Sequence, residues 1–535
     1  MTLHRMHILV SMDAHTIAQG ARNVKETLLK MVKVAGLSNE IKVVETGSLG
    51  IANQGVVLVV YPEGIYYANV KVEDVPDIVE DHLLKGRHVE RLVYREPVAE
   101  PGAPMKPLPS RVQKQQRIVL KNAGTIDPDS IEEYIARDGY EALAKVLTTM
   151  KQEAVIEEVK NSKLVGRGGA AFPCGLKWSF AAKEKSDIKY VICNADEGEP
   201  GTFKDRLILE GDPHAIIEAM TIVAYAVGAT EGYIYIRGEY RQSIEKTQRA
   251  IEKAREMNLL GTNIFESGFN FDLHIREGAG AYVCGEETAL IESIEGKRGE
   301  PRDKPPYPPQ AGLWGKPTVV NNVETLANIP QIILNGAEWF RNIGTETCTG
   351  TKVFLLVGNI NSPGLIEVPM GITLREVIYD IGLGIPDGKS FLLAQTGGTT
   401  GGILTESELD VPMAYDTLPA YDSGLGSGAL LIVDDSHDVV KLVRNFVEFF
   451  NHESCGKCTL CREGTGRLLE LLNKIIDGKG TASDIDLIEK LSRTMKHGAF
   501  CGLGQAAPTP ILGSLKHFKN EYLKYVTSNA NRAAA

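Results

Sequence analysis

Gly278-Ala279-Gly280-Ala281-Tyr282-Val283 follows a strand-like run, Phe269 to Ile275, and its reading decides the fold of the middle of the chain. A dinucleotide-binding turn carries glycine at its first, third and sixth positions, the last so that helix and strand can pack closely. Here the sixth position is Val283, so the fingerprint fails and a standard dinucleotide domain is not expected. The segment continues as Cys284-Gly285-Glu286-Glu287-Thr288, which sets carboxylates at a glycine-led helix start.

Upstream, Gly166-Arg167-Gly168-Gly169-Ala170-Ala171-Phe172-Pro173-Cys174-Gly175 supplies bare backbone amides, a guanidinium and an aromatic ring, with Lys177 just beyond. Glycines let such a loop close around phosphate, Arg167 and Lys177 offer matching charge, and Phe172 can stack on a flat ring; a tight structural turn is the alternative. Asn194-Ala195-Asp196-Glu197-Gly198-Glu199-Pro200-Gly201 follows the apolar run Tyr190 to Cys193. It places acceptors for ribityl or ribose hydroxyls where α/β folds bind ligands, at the carboxyl end of a strand. A solvated acidic turn is the competing account. Downstream lie a charged proline loop, Arg302 to Pro308, and two amides in Val320-Asn321-Asn322-Val323-Glu324-Thr325.

Cys455, Cys458 and Cys461 lie three apart, and Cys501 returns beside Gly502 and Gly504. Three thiolates so spaced wrap one corner of a cuboidal cluster and a distant fourth closes it, the ligand supply of one [4Fe-4S] cluster. Structural zinc more often uses two separated pairs. Cys174, Cys193, Cys284 and Cys348 show no such spacing and receive no ligand role.

With 535 residues, 43% of them hydrophobic and 24% charged, the chain is long enough for several globular cores. A net charge of -11 disfavours nonspecific nucleic-acid binding. No run approaches the roughly 18 apolar residues of a membrane helix, and no secretory leader opens the sequence, so a cytoplasmic protein without direct membrane insertion is expected. The first hundred residues read as a small α/β domain: a strand at His7 to Ser11, a helix over Ile17 to Val34 and a hairpin around Pro62-Glu63-Gly64. A proline-rich linker follows. Glycine-rich α/β patterning runs from Ile118 to Gly336, a compact mixed module occupies Thr351 to Asp434, and helical periodicity dominates from His437.

Taken in order, these segments resemble the NADH-binding, 51-kilodalton-type subunit of respiratory complex I and the flavoprotein subunits of NAD-linked hydrogenases and formate dehydrogenases, over about residues 118 to 520. The resemblance implies FMN held by Gly166, Arg167, Gly168, Lys177, Asn194, Asp196, Glu197, Gly285, Glu286, Asn321, Asn322 and Thr325. It implies NADH held by Gly169, Phe172, Glu199, Tyr282, Glu287, Lys304 and Tyr307, the last usually phenylalanine in the family. The fold implied is multidomain α/β: a thioredoxin-like ferredoxin-type domain (1–97), a linker (98–117), a non-Rossmann FMN- and NADH-binding α/β domain (118–340), a small mixed α/β module of ubiquitin-like or SLBB type (341–436) and a C-terminal helical [4Fe-4S] bundle (437–530). In the front domain the family's cluster cysteines are replaced by Ser11, Thr16, Ser48 and Ala52, so a structural or docking role without a cluster is expected there.

The resemblance further implies an electron-input subunit. Hydride moves between NAD(H) and FMN, and electrons pass singly to the cluster and on to partners, a small thioredoxin-like [2Fe-2S] subunit and a larger iron–sulfur catalytic subunit of hydrogenase or formate dehydrogenase type. Electron bifurcation and a noncatalytic docking scaffold are the alternatives.

Overall fold

The computed structural model of the chain describes residues 4–51, 54–95 and 114–533, with side chains to residue 526. Most of the expected linker, and Ala52, lie outside the described residues. Strands β1 (Met6–Ser11), β2 (Ile41–Thr46), β3 (Leu58–Tyr61) and β4 (Ile65–Tyr67) form a sheet in the order β2-β1-β3-β4. The β1–β2 pair is parallel and needs a crossover, which helix α1 (Ala21–Val34) provides by burying Ala21, Val24, Leu28 and Val32. The continuous helix expected over Ile17 to Val34 is broken at Gly20, whose φ of 99° ends a short first helix, Ala14–Ala18. The hairpin expected around Pro62 to Gly64 is present, with Val60 opposite Ile65.

The central sheet contains β5 (Tyr190–Ala195), β6 (Glu231–Arg237), β7 (Gly261–Ile264), β8 (Phe269–Gly278) and β9 (Thr318–Asn322), in the order β7-β8-β6-β5-β9. β8, β6, β5 and β9 run parallel, and β7 is an antiparallel edge. Helices α2 (Cys174–Lys183), α3 (Lys204–Gly211), α4 (Pro213–Val227), α5 (Glu287–Ile294) and α6 (Val323–Ala327) accompany it. Alternation along β5 divides two cores. Val191 and Cys193 pack in the cluster with α4, which is buried along its whole length except at Tyr225, while Tyr190 and Ile192 belong to the cluster shared with α5 and the C-terminal helices.

From β5 the chain steps outward to β6 and β8, then returns to lay β9 on the other side of β5. This is the doubly wound order 3-2-1-4 of dinucleotide folds. The expectation of a sheet unlike the Rossmann topology is therefore corrected: the fingerprint loop is absent, but the strand order is not. What differs is the turn after the first strand, which holds Asp196, Glu197 and Glu199 where a phosphate-binding turn holds glycines.

A third sheet, β10 (Thr351–Gly358), β11 (Gly364–Pro369), β12 (Phe391–Thr396), β13 (Ile403–Leu404) and β14 (Ala429–Asp434), has the order β11-β10-β14-β12-β13 and its own apolar core. Helices α7 (Val439–Glu453), α8 (Thr459–Ile476), α9 (Ala482–Gly498) and α10 (Thr509–Ala533) complete the chain. The front sheet is seated against α3: the Ala14 amide donates to the Glu210 carboxylate at 3.1 Å, and a Cβ on Gly47 would stand 2.7 Å from Gly211 Cα.

Candidate functional site

Where the sheet order reverses, a cavity of about 740 Å³ opens beside the carboxyl ends of β5 and β9. Of the residues picked out from sequence, Gly166, Gly168, Phe172, Lys177, Asn194, Gly285, Glu286, Glu287, Lys304, Tyr307, Asn321, Asn322 and Thr325 line it. The glycine loop is closed by the Gly166 amide donating to the Phe172 carbonyl at 2.9 Å, and α2 starts directly after it. Gly168 passes so near Asn322 that a Cβ would stand 3.0 Å from the Asn322 Cβ. Lys177, in the first turn of α2, donates to the Val320 carbonyl at 2.9 Å and lies 3.6 Å from Glu287. Amides, a helix amino terminus and an ammonium thus gather on one wall, as an anion requires.

Carboxylates and aromatic rings complete the lining. Glu286 caps α5 by accepting from the Thr288 and Ala289 amides, and Lys304 reaches Glu286 at 2.8 Å and Glu287 at 3.1 Å. Burial opposes ionisation of Glu286, yet the Lys304 ammonium and these donors outweigh it and hold the carboxyl below the usual glutamate range. Phe172, Phe180 and Tyr307 keep 41%, 42% and 53% of their surface open around the cavity, leaving ring faces free to stack on planar ligand groups.

Asp196 stands behind the cavity wall, its carboxylate 4.0 Å from where a Gly285 Cβ would be, and both of its buried oxygens lack a hydrogen-bond partner. Burial, opposed by Arg237, pushes its pKa up to about 7. Such orphaned acceptors suit a hydroxyl-bearing chain like the ribityl group of FMN. An ordinary aspartate ionises near 4, so the ligand-free fold loses stability as pH rises through the window up to about 7. Hydroxyl donors favour the carboxylate form, so FMN binding should tighten roughly 10-fold between about pH 6 and 8. Fluorescence titration of FMN would check this, with Asp196→Asn flattening the profile; a slope that survives in Asp196→Asn refutes the role.

Other expected contacts are not brought to the cavity. The Arg167 guanidinium, which the sequence offers as phosphate charge, is buried and donates to the Thr349 carbonyl at 2.6 Å, while only its backbone amide faces Thr325, at 2.8 Å. The chain turns inward at this residue, which takes the charge away from the cavity. Glu197 caps α3, accepting from the Lys204, Asp205 and Arg206 amides. Glu199 binds Thr399 of the third unit and the Tyr282 hydroxyl, the latter at 2.6 Å, and Tyr282 packs edge-on against Phe449 of α7. Gly169, at a φ of 126°, shapes the loop without lining the cavity.

Phe180, Lys183, Glu184 and Gln310 also line the cavity, although the sequence reading does not single them out. Phe180 is legible as the residue one helical turn beyond Lys177. Nothing local announces the buried charge cluster beneath Asn322 and Thr325. There Lys204 meets Asp205 at 2.7 Å and Glu324 at 3.2 Å, and Lys352 of β10 meets Glu324 at 2.6 Å.

Cys455, Cys458, Cys461 and Cys501 line one small second cavity with Val283, Pro301, Lys457, Phe500 and Leu503. Cys458 is the residue before α8, and Cys501 precedes a short helix, Gly502–Ala506, so helix amino termini face the sulfurs. A Cβ on Gly504, in that short helix, would stand 2.8 Å from the Ala499 Cβ and 3.1 Å from the Cys461 Cβ, so the helix needs glycine there. Among the described residues no group of three or more His, Cys, Asp or Glu is close enough to hold a single ion. Four thiols that line one cavity suit a multi-iron cluster. The other four cysteines are buried and dispersed.

One turn separates the two cavities. Val283 lines the thiol cavity and Gly285 the larger one, two positions apart in the turn Tyr282–Gly285. Consecutive Cα atoms are about 3.8 Å apart, so the walls lie within roughly 8 Å of each other along the chain. In the front unit, the Ser11 hydroxyl donates to Asp13 at 3.0 Å and the Thr16 hydroxyl to the Ser11 carbonyl at 2.8 Å, so both hydroxyls bond locally.

A nucleotide-sized cavity one turn from a four-thiol cage defines an iron–sulfur flavoprotein. Residues 159–331 match the Nuo51 FMN-binding domain family, and residues 441–525 match the NADH-ubiquinone oxidoreductase-F iron-sulfur binding region. The chain is 56% identical to the NADP-reducing hydrogenase subunit HndC of Solidesulfovibrio fructosivorans, over 77% of this chain and 84% of that one. It is 45% identical to the NADH-quinone oxidoreductase F subunit of Escherichia coli K12, over 74% and 89%. The crystal structure of an air-oxidized NAD+-reducing [NiFe]-hydrogenase superposes with a TM-score of 0.68 at 29% identity, over 98% of this chain and 85% of that one. The chain belongs to the family of NADH-quinone oxidoreductase F subunits, the oxidoreductase flavoproteins that carry FMN and a [4Fe-4S] cluster.

Proposed function

We propose that this chain is the electron-input subunit of a larger assembly, exchanging hydride with NAD(H) and passing electrons singly to partner subunits. The observation that carries this reading is the single turn, Tyr282–Gly285, that borders both cavities. FMN and the cluster, when bound, supply the exchange between a two-electron hydride and single electrons. The residues contribute binding and orientation. The glycine loop with Lys177 would receive the flavin phosphate, Asn194, Asp196, Asn321 and Asn322 its polar chain, and Phe172, Phe180 and Tyr307 the rings of the nicotinamide nucleotide. Lys304, neutralised by Glu286 and Glu287, fixes the acidic rim rather than adding net positive charge. Cys455, Cys458, Cys461 and Cys501 would ligate the cluster. No general acid or base is needed for hydride transfer.

The front unit, with its β2-β1-β3-β4 order, is best read as a thioredoxin-like domain without a cluster, seated on α3 as a structural or docking element. The third sheet reads as an SLBB-type module. Relatives named as hydrogenase and quinone oxidoreductase subunits support membership of a multi-subunit assembly; a small [2Fe-2S] subunit and a larger iron–sulfur catalytic subunit are the partners proposed. Free cysteines throughout agree with a reducing cytoplasm.

The test is an anaerobic spectrum of the reconstituted chain during addition of NADH, with flavin and iron quantified and NADPH run in parallel. About one FMN and about four irons per chain, with the flavin band bleached, is the expected result. Protein that binds no flavin, or flavin that neither nucleotide reduces, would replace this reading with a docking scaffold.

A further inference from the structure

The segment that carries Cys455 and Cys458 and leads into α8 is held by three cations. Arg298 donates to the Cys455 carbonyl at 2.6 Å, Arg462 donates to the Gly456 carbonyl at 2.6 Å, and Lys457 donates to the Pro301 carbonyl at 2.6 Å. Two of them carry a carboxylate of their own: Arg298 lies 3.3 Å from Glu300, and Arg462 lies 2.9 Å from Glu463. Lys457 forms no ion pair among the described residues. Its ammonium sits 4.7 Å from the centroid of the Phe500 ring, and Lys457, Phe500 and Pro301 are all part of the thiol-cavity wall. A carbonyl and a ring face therefore keep one uncompensated positive charge against that wall.

We propose that Lys457 is a positioning residue that sets the reduction potential of the cluster, holding it higher than the thiolate cage alone would. Reduction adds one negative charge inside the cavity, and a fixed neighbouring cation stabilises the charged product more than the reactant. The Phe500 ring contributes by holding the ammonium through its quadrupole, at a site where both residues remain exposed. Lys457 lies between Cys455 and Cys458 in sequence, so its backbone stays with the ligand loop.

This rests on assigning the cluster to these four cysteines, and the two ideas fail differently. The experiment is an EPR-monitored redox titration of the anaerobically reconstituted full-length chain, with iron content measured first. Wild-type protein that takes up no iron overturns the ligand assignment. With the cluster present, Lys457→Gln should lower the ratio of reduced to oxidised cluster about tenfold at the wild-type midpoint, equivalent to about 59 mV for one electron. Lys457→Arg, which keeps the charge, should restore most of the shift. A Gln variant with an unmoved midpoint overturns the proposal, as does an Arg variant that falls equally far. Should the Gln variant assemble no cluster, Phe500→Leu decides: a smaller shift in the same direction supports the role of Lys457, and an unmoved midpoint overturns it.

Discussion

Replacing Cys501 by alanine should remove the route for electrons out of the protein while the flavin remains reducible by NADH. Cys501 comes to the cage from the end of α9, whereas Cys455, Cys458 and Cys461 come from one loop and the first turn of α8. Its loss opens one corner of a cluster that needs four strong ligands, and among the described residues no other cysteine lines the cavity to replace it. Transfer from NADH to partner subunits should fall at least ~100-fold, with bound iron reduced in parallel, because the cluster is the obligatory one-electron carrier in this scheme. Bleaching of the flavin band should persist, since Cys501 does not line the larger cavity. Iron analysis, the visible spectrum and acceptor reduction on one preparation distinguish these effects. A Cys501→Ala protein with a full complement of iron and normal transfer would remove this cysteine from the ligand set.

The contrast between the two cavities explains what can be read from sequence. Three thiols within seven residues form a local pattern, and the glycines at positions 502 and 504 flag the fourth. Strands β5 and β6 are equally local, as runs of apolar residues buried on both faces. Their order is not: β9 takes its place beside β5 through pairing across more than a hundred residues, so a failed fingerprint in one turn cannot reveal the doubly wound topology. The same limit governs single side chains. Arg167 reads as a phosphate ligand from its glycine neighbours, but its direction is set by Thr349, a residue far along the chain. Glu197 and Glu199 group with the acidic turn in sequence, yet one caps a helix and the other ties down the third unit. Composition identifies the chemistry of each segment; tertiary contacts decide which of its groups face the cavity.

Glu324 shows the energetic side of this. It is fully buried, as are Lys204 and Lys352; it accepts from the Lys352 ammonium and from the Val353 amide at 2.9 Å, and it lies 3.2 Å from the Lys204 ammonium. Burial alone would raise its pKa, but the two lysines outweigh that and hold the carboxyl below the ordinary glutamate range. A folded-state pKa below the unfolded value means that this stabilisation is present above the unfolded value and is lost as pH falls through the folded one. Glu324→Gln removes the negative charge and leaves buried Lys352 without its carboxylate and Lys204 with Asp205, so the central fold should lose about 3–5 kcal/mol. Because Asn322 and Thr325 flank Glu324 in the cavity wall, the same change should loosen FMN retention before the chain as a whole unfolds. Following flavin release during thermal denaturation avoids treating a multidomain chain as two-state. Adding Lys352→Met removes the excess cation and leaves a balanced Lys204–Asp205 pair, so the double variant should recover a large part of the loss, as neutral replacements for buried ion pairs do. A Glu324→Gln protein that keeps its flavin to the wild-type temperature would show that the cluster of charges is passive, and a double variant no better than the single one would show that the loss comes from packing rather than from an unpaired charge.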